Sequence, residues 1–296
     1  MAALDEQPFI SVVIPVWNGP DLIARCLTAL RDQTYPRDRF EVLVVDNGST
    51  DQTGEVARAF PFATVLSEPV PGSYRARNLG WTSARGEYVA FTDADCIPDP
   101  GWLAAAVRAA RQQPEAAVLA GRIVVFRADR AHNGACEKYE AAFDFDQARH
   151  AREGLCVTAN WMSGRKTLLD FGGFRQDLKS GGDWDLSRRI QRAGRPIVYV
   201  PEMVVSHPSR GSLAQLMAKQ LRTTGGKWQS TKSRSPFLSC CRALIRSSAR
   251  RLTAAASDTR FSLRDRLAIM GVVVTLLATG IFELARLACG AEPRRA

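Results

Sequence analysis

No CxxC pair occurs in the 296 residues, and the cysteine count, seven, is odd. Zinc sites and disulfide frameworks both announce themselves by paired spacing, so Cys26, Cys96, Cys136, Cys156, Cys240, Cys241 and Cys289 read as reduced thiols. The pattern GxxxxGK[ST] is missing, which excludes a P-loop NTPase. No GxGxxG follows the first strand-like run, which argues against a dinucleotide-dependent dehydrogenase. There is no internal repeat and no low-complexity tract. The opening "MAALDEQPF" is acidic and carries no apolar core, so the expectation is a chain without a signal peptide and with its catalytic part in the cytoplasm.

What the chain does have is positive charge, unevenly placed. The formal net charge is +10, and nine Lys/Arg fall between Lys232 and Arg266 against only Asp258 and Asp265. A basic balance suits nucleic acid, anionic lipid or phosphorylated substrates. Nucleic acid fits poorly, because the basic cluster adjoins an apolar run and has few interleaved aromatics.

The first third alternates strand-like and helix-like stretches. "FISVVIPV" (Phe9–Val16) is a continuous β-branched run, as in a strand buried on both faces. Leu22, Ile23, Cys26, Leu27 and Leu30 then recur at helical spacing. "FEVLVVD" (Phe40–Asp46) is a second strand, followed by the turn "NGSTD". A third strand is predicted near Ala63–Leu66, a helix over Tyr74–Ala84, a fourth strand over Glu87–Thr92 and a helix over Gly101–Arg111. Strands alternating with helices imply βαβ units, hence an α/β fold with a Rossmann-like, mainly parallel sheet flanked by helices.

"YVAFTDADCIPD" ends such a strand on Asp93 and Asp95, two like charges one residue apart. In open α/β sheets, ligands bind beyond the carboxyl ends of the strands. Trp17, Asp46, Asn47, Asp93 and Asp95 all lie just past such ends. A divalent cation would make the acidic pair tolerable, and Mg²⁺ or Mn²⁺ favours a few carboxylates together with phosphate oxygens. The bland alternative is a turn that caps the next helix.

Taken in order, "SVVIPVWNG", "CLTALRDQTYP", "FEVLVVDNGSTDQT", "PGSYRARNLGWTSARGEYVAFTDADCIPDPGWL" and "GGDWDLSRRIQRAG" resemble the family-2 glycosyltransferases of GT-A fold, over about Phe9 to Trp228. The resemblance implies an inverting transferase that uses a nucleotide-diphosphate sugar, UDP- or GDP-linked, and Mg²⁺ or Mn²⁺. It also implies site roles. Pro15, Trp17, Asp46, Asn47, Arg75, Arg77, Asn78 and Asp93 match nucleotide-binding positions. Asp93 and Asp95 match the DxD metal motif, Asp95 being the direct ligand, and His207 matches a histidine near the metal or diphosphate. Asp183 matches the catalytic base, although Gly182 stands where the family usually has Glu. Asp183 also reads as a helix N-cap, and Asp185 as an ion-pair partner for Arg188 or Arg189. "TANWMSGR" falls where the family builds acceptor contacts, which puts Asn160 and Trp161 there; Trp161 and Trp184 read as acceptor residues whose rings stack on a sugar face, with core packing as the alternative. Gln220, Arg222 and Trp228 do not match the spacing of a processive synthase.

Toward the C-terminus, "FLSCCRALIRSSARRL" (Phe237–Leu252) is basic and amphipathic, the pattern of a helix lying on an anionic membrane. Leu267–Phe282 carries no charge. As a helix its sixteen residues reach ~24 Å, short of a ~30 Å hydrocarbon core. Extension to Gly290 adds Glu283 and Arg286, three apart and able to pair. The expectation is a GT-A domain over residues 1–228 and a membrane-associating helical appendage over 229–296, placed at the cytoplasmic face of the cell membrane and acting on a saccharide or lipid-linked acceptor. A buried helix closing the domain, or a dimer contact, is the alternative. Two other functions stay open. A nucleotidyltransferase typically carries a Gly-rich basic loop after the first strand, which "PVWNGPD" lacks; a non-catalytic sugar-nucleotide- or lipid-binding protein would keep the fold without turnover.

Overall fold

The computed structural model describes residues 7–126, 134–143 and 145–293. In chain order the elements are β1 (Ile10–Val16), α1 (Pro20–Arg31), β2 (Phe40–Asp46), α2 (Thr53–Arg58), β3 (Ala63–Ser67), α3 (Ser73–Ser83), β4 (Tyr88–Thr92) and β5 (Ile97–Pro98). Then follow α4 (Trp102–Gln112), β6 (Val118–Phe126), α5 (Gly134–Phe143), α6 (Gln147–Arg152), β7 (Asn160–Gly164), α7 (Arg165–Asp170), α8 (Gly182–Arg192) and β8 (Ile197–Pro208). Three long helices close the chain: α9 (Leu213–Ser230), α10 (Pro236–Ser257) and α11 (Leu263–Ala288).

The strands form one eight-stranded sheet in the order β3-β2-β1-β4-β7-β6-β8-β5. Its first half is parallel, with Ile14 of β1 beside Val44 of β2, and Val12 beside Ala90 of β4. The second half is antiparallel where β7 meets β4 and β6, and where β5 meets β8. Ile10, Val12, Val13 and Ile14 are fully buried, as are Val42, Val44 and Val45, because helices cover both faces of the parallel half. The continuous apolar runs seen in the sequence are these central strands.

The chain packs as two compact units. The first is Met1–Val124, Asp146–Gln176 and Gly182–His207; the second is Val125–Phe145, Asp177–Gly181 and Pro208–Ala296. The second unit is helical. Its core gathers Tyr139 and Phe143 of α5, Leu216 of α9, Ala255 of α10, and Ile269, Val272, Val273 and Leu276 of α11. Those α11 positions recur at helical spacing, so one stripe of the helix is buried. At Gly280 a Cβ would lie 2.6 Å from Leu244 Cδ2, so the glycine gives the Leu244 side chain of α10 room to pack directly on α11. Glu283 is fully buried, and Arg286 meets it with two hydrogen bonds of 2.9 and 2.7 Å, the pairing its three-residue spacing predicts. A second buried carboxylate, Glu140, is held by Arg210 at 2.7 Å and Lys219 at 3.3 Å.

Candidate active site

Two loops beyond the carboxyl ends of β1 and β2 are tied together. The Asn18 N–H donates to Ser49 Oγ (3.0 Å), the Thr50 N–H donates to Asn18 Oδ1 (2.9 Å), and the Gly19 N–H donates to Thr53 Oγ1 (2.8 Å). Asn18 adopts positive φ to do so, a conformation asparagine tolerates better than most residues. Trp17 stands 47% exposed on this rim, and Pro15 is half-buried just inside it. Asp46 is half-buried and turns one carboxylate oxygen to the Ser49 N–H at 2.9 Å. Asn47, by contrast, is 4% exposed. Its side-chain amide donates to the carbonyls of Glu68 and Val70 and accepts from the Gly72 N–H. Three of its four hydrogen-bonding positions are thereby spent on the loop that leads into α3.

Helix α3 is brought unusually close to the sheet. A Cβ at Gly80 would lie 2.3 Å from Val13 Cγ1 and 3.2 Å from Val45 Cγ2, so only glycine permits this approach. Asn78 fixes the helix from the other side. Its amide donates to the Phe174 carbonyl (2.7 Å) and accepts from the Phe174 N–H (3.0 Å) and Trp81 Nε1 (2.8 Å). Seated in this way, α3 presents Tyr74 and Arg77, one turn apart. The Arg77 guanidinium is buried, pairs with Asp93 and sits 5.6 Å over the Tyr74 ring. Arg75 faces Glu68 at 3.9 Å.

Asp93 and Asp95 follow β4, and His207 comes from the end of β8. Asp93, Asp95, Cys96 and His207 can each offer one ligand atom with all four atoms within 4.8 Å of one another. His207 is 3% exposed, and its Nε2 lies 3.5 Å from Asp95 Oδ2. Two carboxylates and an imidazole form a donor set that fits a divalent cation, and the half-exposed carboxylates leave an open side for further oxygen ligands.

Asp183 stands at the start of α8. Its Oδ1 accepts from the Tyr74 hydroxyl (3.2 Å) and from the Trp184 N–H (2.9 Å); the helix already begins at Gly182, so Asp183 lies within its first turn and is not the N-cap that the sequence suggested. A Cβ at Gly182 would lie 2.8 Å from the Tyr74 ring, which therefore fills the space beside the missing side chain. Burial pushes the Asp183 carboxyl above its ordinary range. Arg77, the Trp184 N–H and the Tyr74 hydroxyl oppose that rise, and Asp93 adds to it. Burial and Asp183 together push the Tyr74 phenol up, so it stays protonated and donates. Asp185 instead pairs with Arg189 at 3.0 Å, as its four-residue spacing predicts.

The Glycosyl transferase family 2 profile matches residues 11–168, more than half of the chain. The chain belongs to glycosyl transferase family 2. It is 34% identical to the glycosyltransferase AglE of Haloferax volcanii over 228 residues, which cover 75% of this chain and 74% of that protein. It is 29% identical to the pre-mycofactocin glycosyltransferase of Mycobacterium tuberculosis over 219 residues, 71% of this chain but only 45% of the relative's length. Among solved structures, a mannosyltransferase from Pyrobaculum calidifontis, determined with GDP-mannose and Mn²⁺, superposes with a TM-score of 0.63 at 23% identity. That superposition covers 97% of this chain and 89% of the other, and it establishes a shared GT-A-type fold. Residues 1–349 of Staphylococcus aureus TarS, solved with UDP-GlcNAc, give a TM-score of 0.56 at 17% identity, covering 97% and 93% of the two chains.

Two acceptor-site expectations for this glycosyltransferase need correction. Asn160 is fully buried. Its amide donates to the carbonyls of Arg122 and Met203, both at 2.8 Å, and accepts from Trp102 Nε1 at 2.8 Å. Trp161 is also fully buried, packs edge-on to Phe174 and donates to Ser163 Oγ. Both side chains are buried against the protein's own interior, so neither is presented to a saccharide in this structure. Trp184 is 36% exposed beside Asp183, with the Arg188 guanidinium 6.0 Å over its ring. The structure also adds two residues that sequence reasoning passed over. Cys96 was visible as the neighbour of Asp95 in "DADC". Tyr74 was visible only as the residue one helical turn before Arg77.

Proposed function

We propose that this glycosyltransferase moves a sugar from a nucleoside-diphosphate donor to an acceptor hydroxyl with inversion at the anomeric carbon. The observation that supports this reading is the bridge made by α3. Through Tyr74 it meets Asp183, and through Arg77 it meets Asp93, so one rigid helix sets the carboxylate of α8 against the acidic pair of β4. Asp183 is the general base. It accepts the proton of the acceptor hydroxyl as the oxygen attacks the anomeric carbon from the face opposite the leaving group, the geometry by which inverting glycosidases use a carboxylate. The carboxyl's raised proton affinity makes it a stronger base than a solvated aspartate. Tyr74 and the Trp184 N–H fix its orientation. Asp95, Asp93 and His207 would hold Mg²⁺ or Mn²⁺, which supplies charge neutralisation for the diphosphate. Arg77 adds fixed positive charge on the same side. Asp46, Pro15 and Trp17 border the place of the nucleoside, Arg75 flanks it, and Asn47 and Asn78 hold the surrounding backbone. Trp184 offers an exposed ring for the acceptor.

The second unit supports a membrane role. Among the described residues, α11 is the one helix long and apolar enough to cross a bilayer. One of its stripes is occupied by the unit's own core, while Leu267, Val274, Ile281 and Phe282 are exposed on another. Helix α10 exposes Arg242, Arg246 and Arg250 four residues apart, with Ile245 exposed among them. Apolar stems with guanidinium heads suit the interface of an anionic membrane. We read the unit as lying on the cytoplasmic face, where a saccharide carried on lipid is an accessible acceptor.

Incubation with Mn²⁺ and a panel of UDP- and GDP-sugars tests the reaction. One donor should release nucleoside diphosphate, and the product's anomeric configuration by NMR should be opposite to the donor's. Retention of configuration, or no release with any donor and acceptor, contradicts the proposal.

A further inference from the structure

Cys96 has no part in the mechanism above, yet it is fully buried and its Sγ belongs to the same cluster of ligand atoms as Asp93, Asp95 and His207. The thiol donates to Asp95 Oδ1 at 3.8 Å and to the Ala159 carbonyl at 3.9 Å, long weak bonds that turn the sulfur toward the acidic pair. A buried cysteine that only packs behaves as a small hydrophobe among apolar neighbours; this one faces two carboxylates and an imidazole. We infer that Cys96 supplies a thiol ligand to the cation site, so that thiophilic divalent ions such as Cd²⁺, Zn²⁺ and Co²⁺ occupy it more tightly than Mn²⁺ or Mg²⁺ and displace them. The inference rests on the reading that Asp93, Asp95 and His207 hold a cation. Carboxylate oxygens alone suit Mg²⁺ and Mn²⁺, whereas a soft sulfur donor with an imidazole shifts preference toward zinc-like ions, which also stand higher than Mn²⁺ in the usual order of affinity. Coordination places the sulfur lone pair on the ion and releases the thiol proton to solvent. Mn²⁺ at this site would then be open to replacement by a sulfur-bound ion, making the site a point of metal control.

The experiment uses the full chain carrying Cys241→Ser and Cys289→Ser, which removes the two cysteines that reach solvent. Mn²⁺ binding is read by electron paramagnetic resonance, and Cd²⁺ binding by the ultraviolet thiolate-to-metal charge-transfer band. The expected result is one equivalent of Cd²⁺ that produces the band and releases bound Mn²⁺. In Cys96→Ser the band should vanish, and Cd²⁺ affinity should fall by about 10–100-fold while Mn²⁺ affinity stays within about threefold. Should that variant fail to fold, Cys96→Ala and the competition in the parent protein carry the test. Bound Mn²⁺ with no Mn²⁺-competable thiolate band, or a band that survives in Cys96→Ser, overturns the thiol ligand. Absence of any Mn²⁺ binding overturns the cation site itself, and the inference with it.

Discussion

The Tyr74 hydroxyl donates to Asp183 Oδ1 at 3.2 Å, across 109 residues of sequence, and the Tyr74 ring occupies the space beside Gly182. Where the family resemblance implies a glutamate the chain has Gly182, and an aromatic ring packs against that glycine while its phenol reaches the carboxylate. The departure seen in "GGDWDL" is thus matched by a second residue, on α3, that fills the gap and orients Asp183.

Tyr74→Phe keeps the ring and removes the donor. A hydrogen bond to a charged group contributes about 1.5–3 kcal/mol, so kcat at neutral pH should fall by about tenfold or more with folding retained. Because the phenol favours the ionised carboxylate, its removal raises the Asp183 pKa further, and the acid limb of the kcat–pH profile should move to higher pH. An unshifted limb would mean that Tyr74 does not act through Asp183.

Gly182→Ala places a methyl 2.8 Å from the Tyr74 ring. Overpacking of this kind costs about 1–3 kcal/mol. Combined with Tyr74→Ala, which vacates the space, the same substitution should cost much less. A double-mutant cycle by chemical denaturation reads this coupling directly; simple additivity would contradict the packing account.

Gly80→Ala sets two effects against each other. Alanine gains up to about 1 kcal/mol in helix propensity over glycine. The new Cβ would stand 2.3 Å from Val13, however, so the helix must move off the sheet. Packing should win. Stability should fall by about 1–3 kcal/mol, and kcat should fall as well, because Tyr74 and Arg77 move together. A variant more stable than the parent would refute the close seating of α3.

Much of this arrangement is legible in the sequence, and the reasons differ by residue. Strands β1 to β4 stand within a residue or two of their expected places; for β1 and β2 the reason is that β-branched runs buried on both faces have no competing helical pattern. The end of such a run also locates Asp46, Asp93 and Asp95. Glu283 with Arg286 and Asp185 with Arg189 pair as local spacing predicts. Asn160 and Trp161 are the failures. A polar residue in "TANWMSG" reads equally well as facing a ligand or facing the core; in the fold Asn160 donates to carbonyls of β6 and β8 and accepts from Trp102 of α4, which turns it to the core. Tyr74 is illegible for another reason. Its partners, Gly182 and Asp183, lie far along the chain, so no local pattern joins them. The antiparallel half of the sheet was also hidden, since β5 and β7 are short and carry no turn signal that fixes direction.

Asp183→Asn should stabilise the fold at neutral pH. Burial holds the carboxyl above its ordinary value of 3.8, so the folded chain keeps this proton more tightly than the unfolded one. The associated stability is present in full below 3.8 and is lost as pH rises through the raised value. At neutral pH the ionised side chain is therefore a cost that asparagine removes, while its amide oxygen still accepts from Tyr74 and Trp184. Thermal melts should show a higher Tm for the variant at pH 7 and a shrinking difference as the pH is lowered toward 3.8.

The division of labour between Asp183 and Asp95 is the central claim, and a paired measurement of nucleotide binding and turnover tests it most directly. With the donor identified from the panel and Mn²⁺ present, calorimetric titration and release of nucleoside diphosphate are followed for the parent, Asp183→Asn and Asp95→Ala. The account predicts that Asp183→Asn binds the donor nucleotide as the parent does, with turnover reduced by at least about a thousandfold, consistent with loss of a positioned general base. Asp95→Ala should lose Mn²⁺-dependent nucleotide binding itself. Near-normal turnover in Asp183→Asn, or undiminished Mn²⁺-dependent binding in Asp95→Ala, would contradict it.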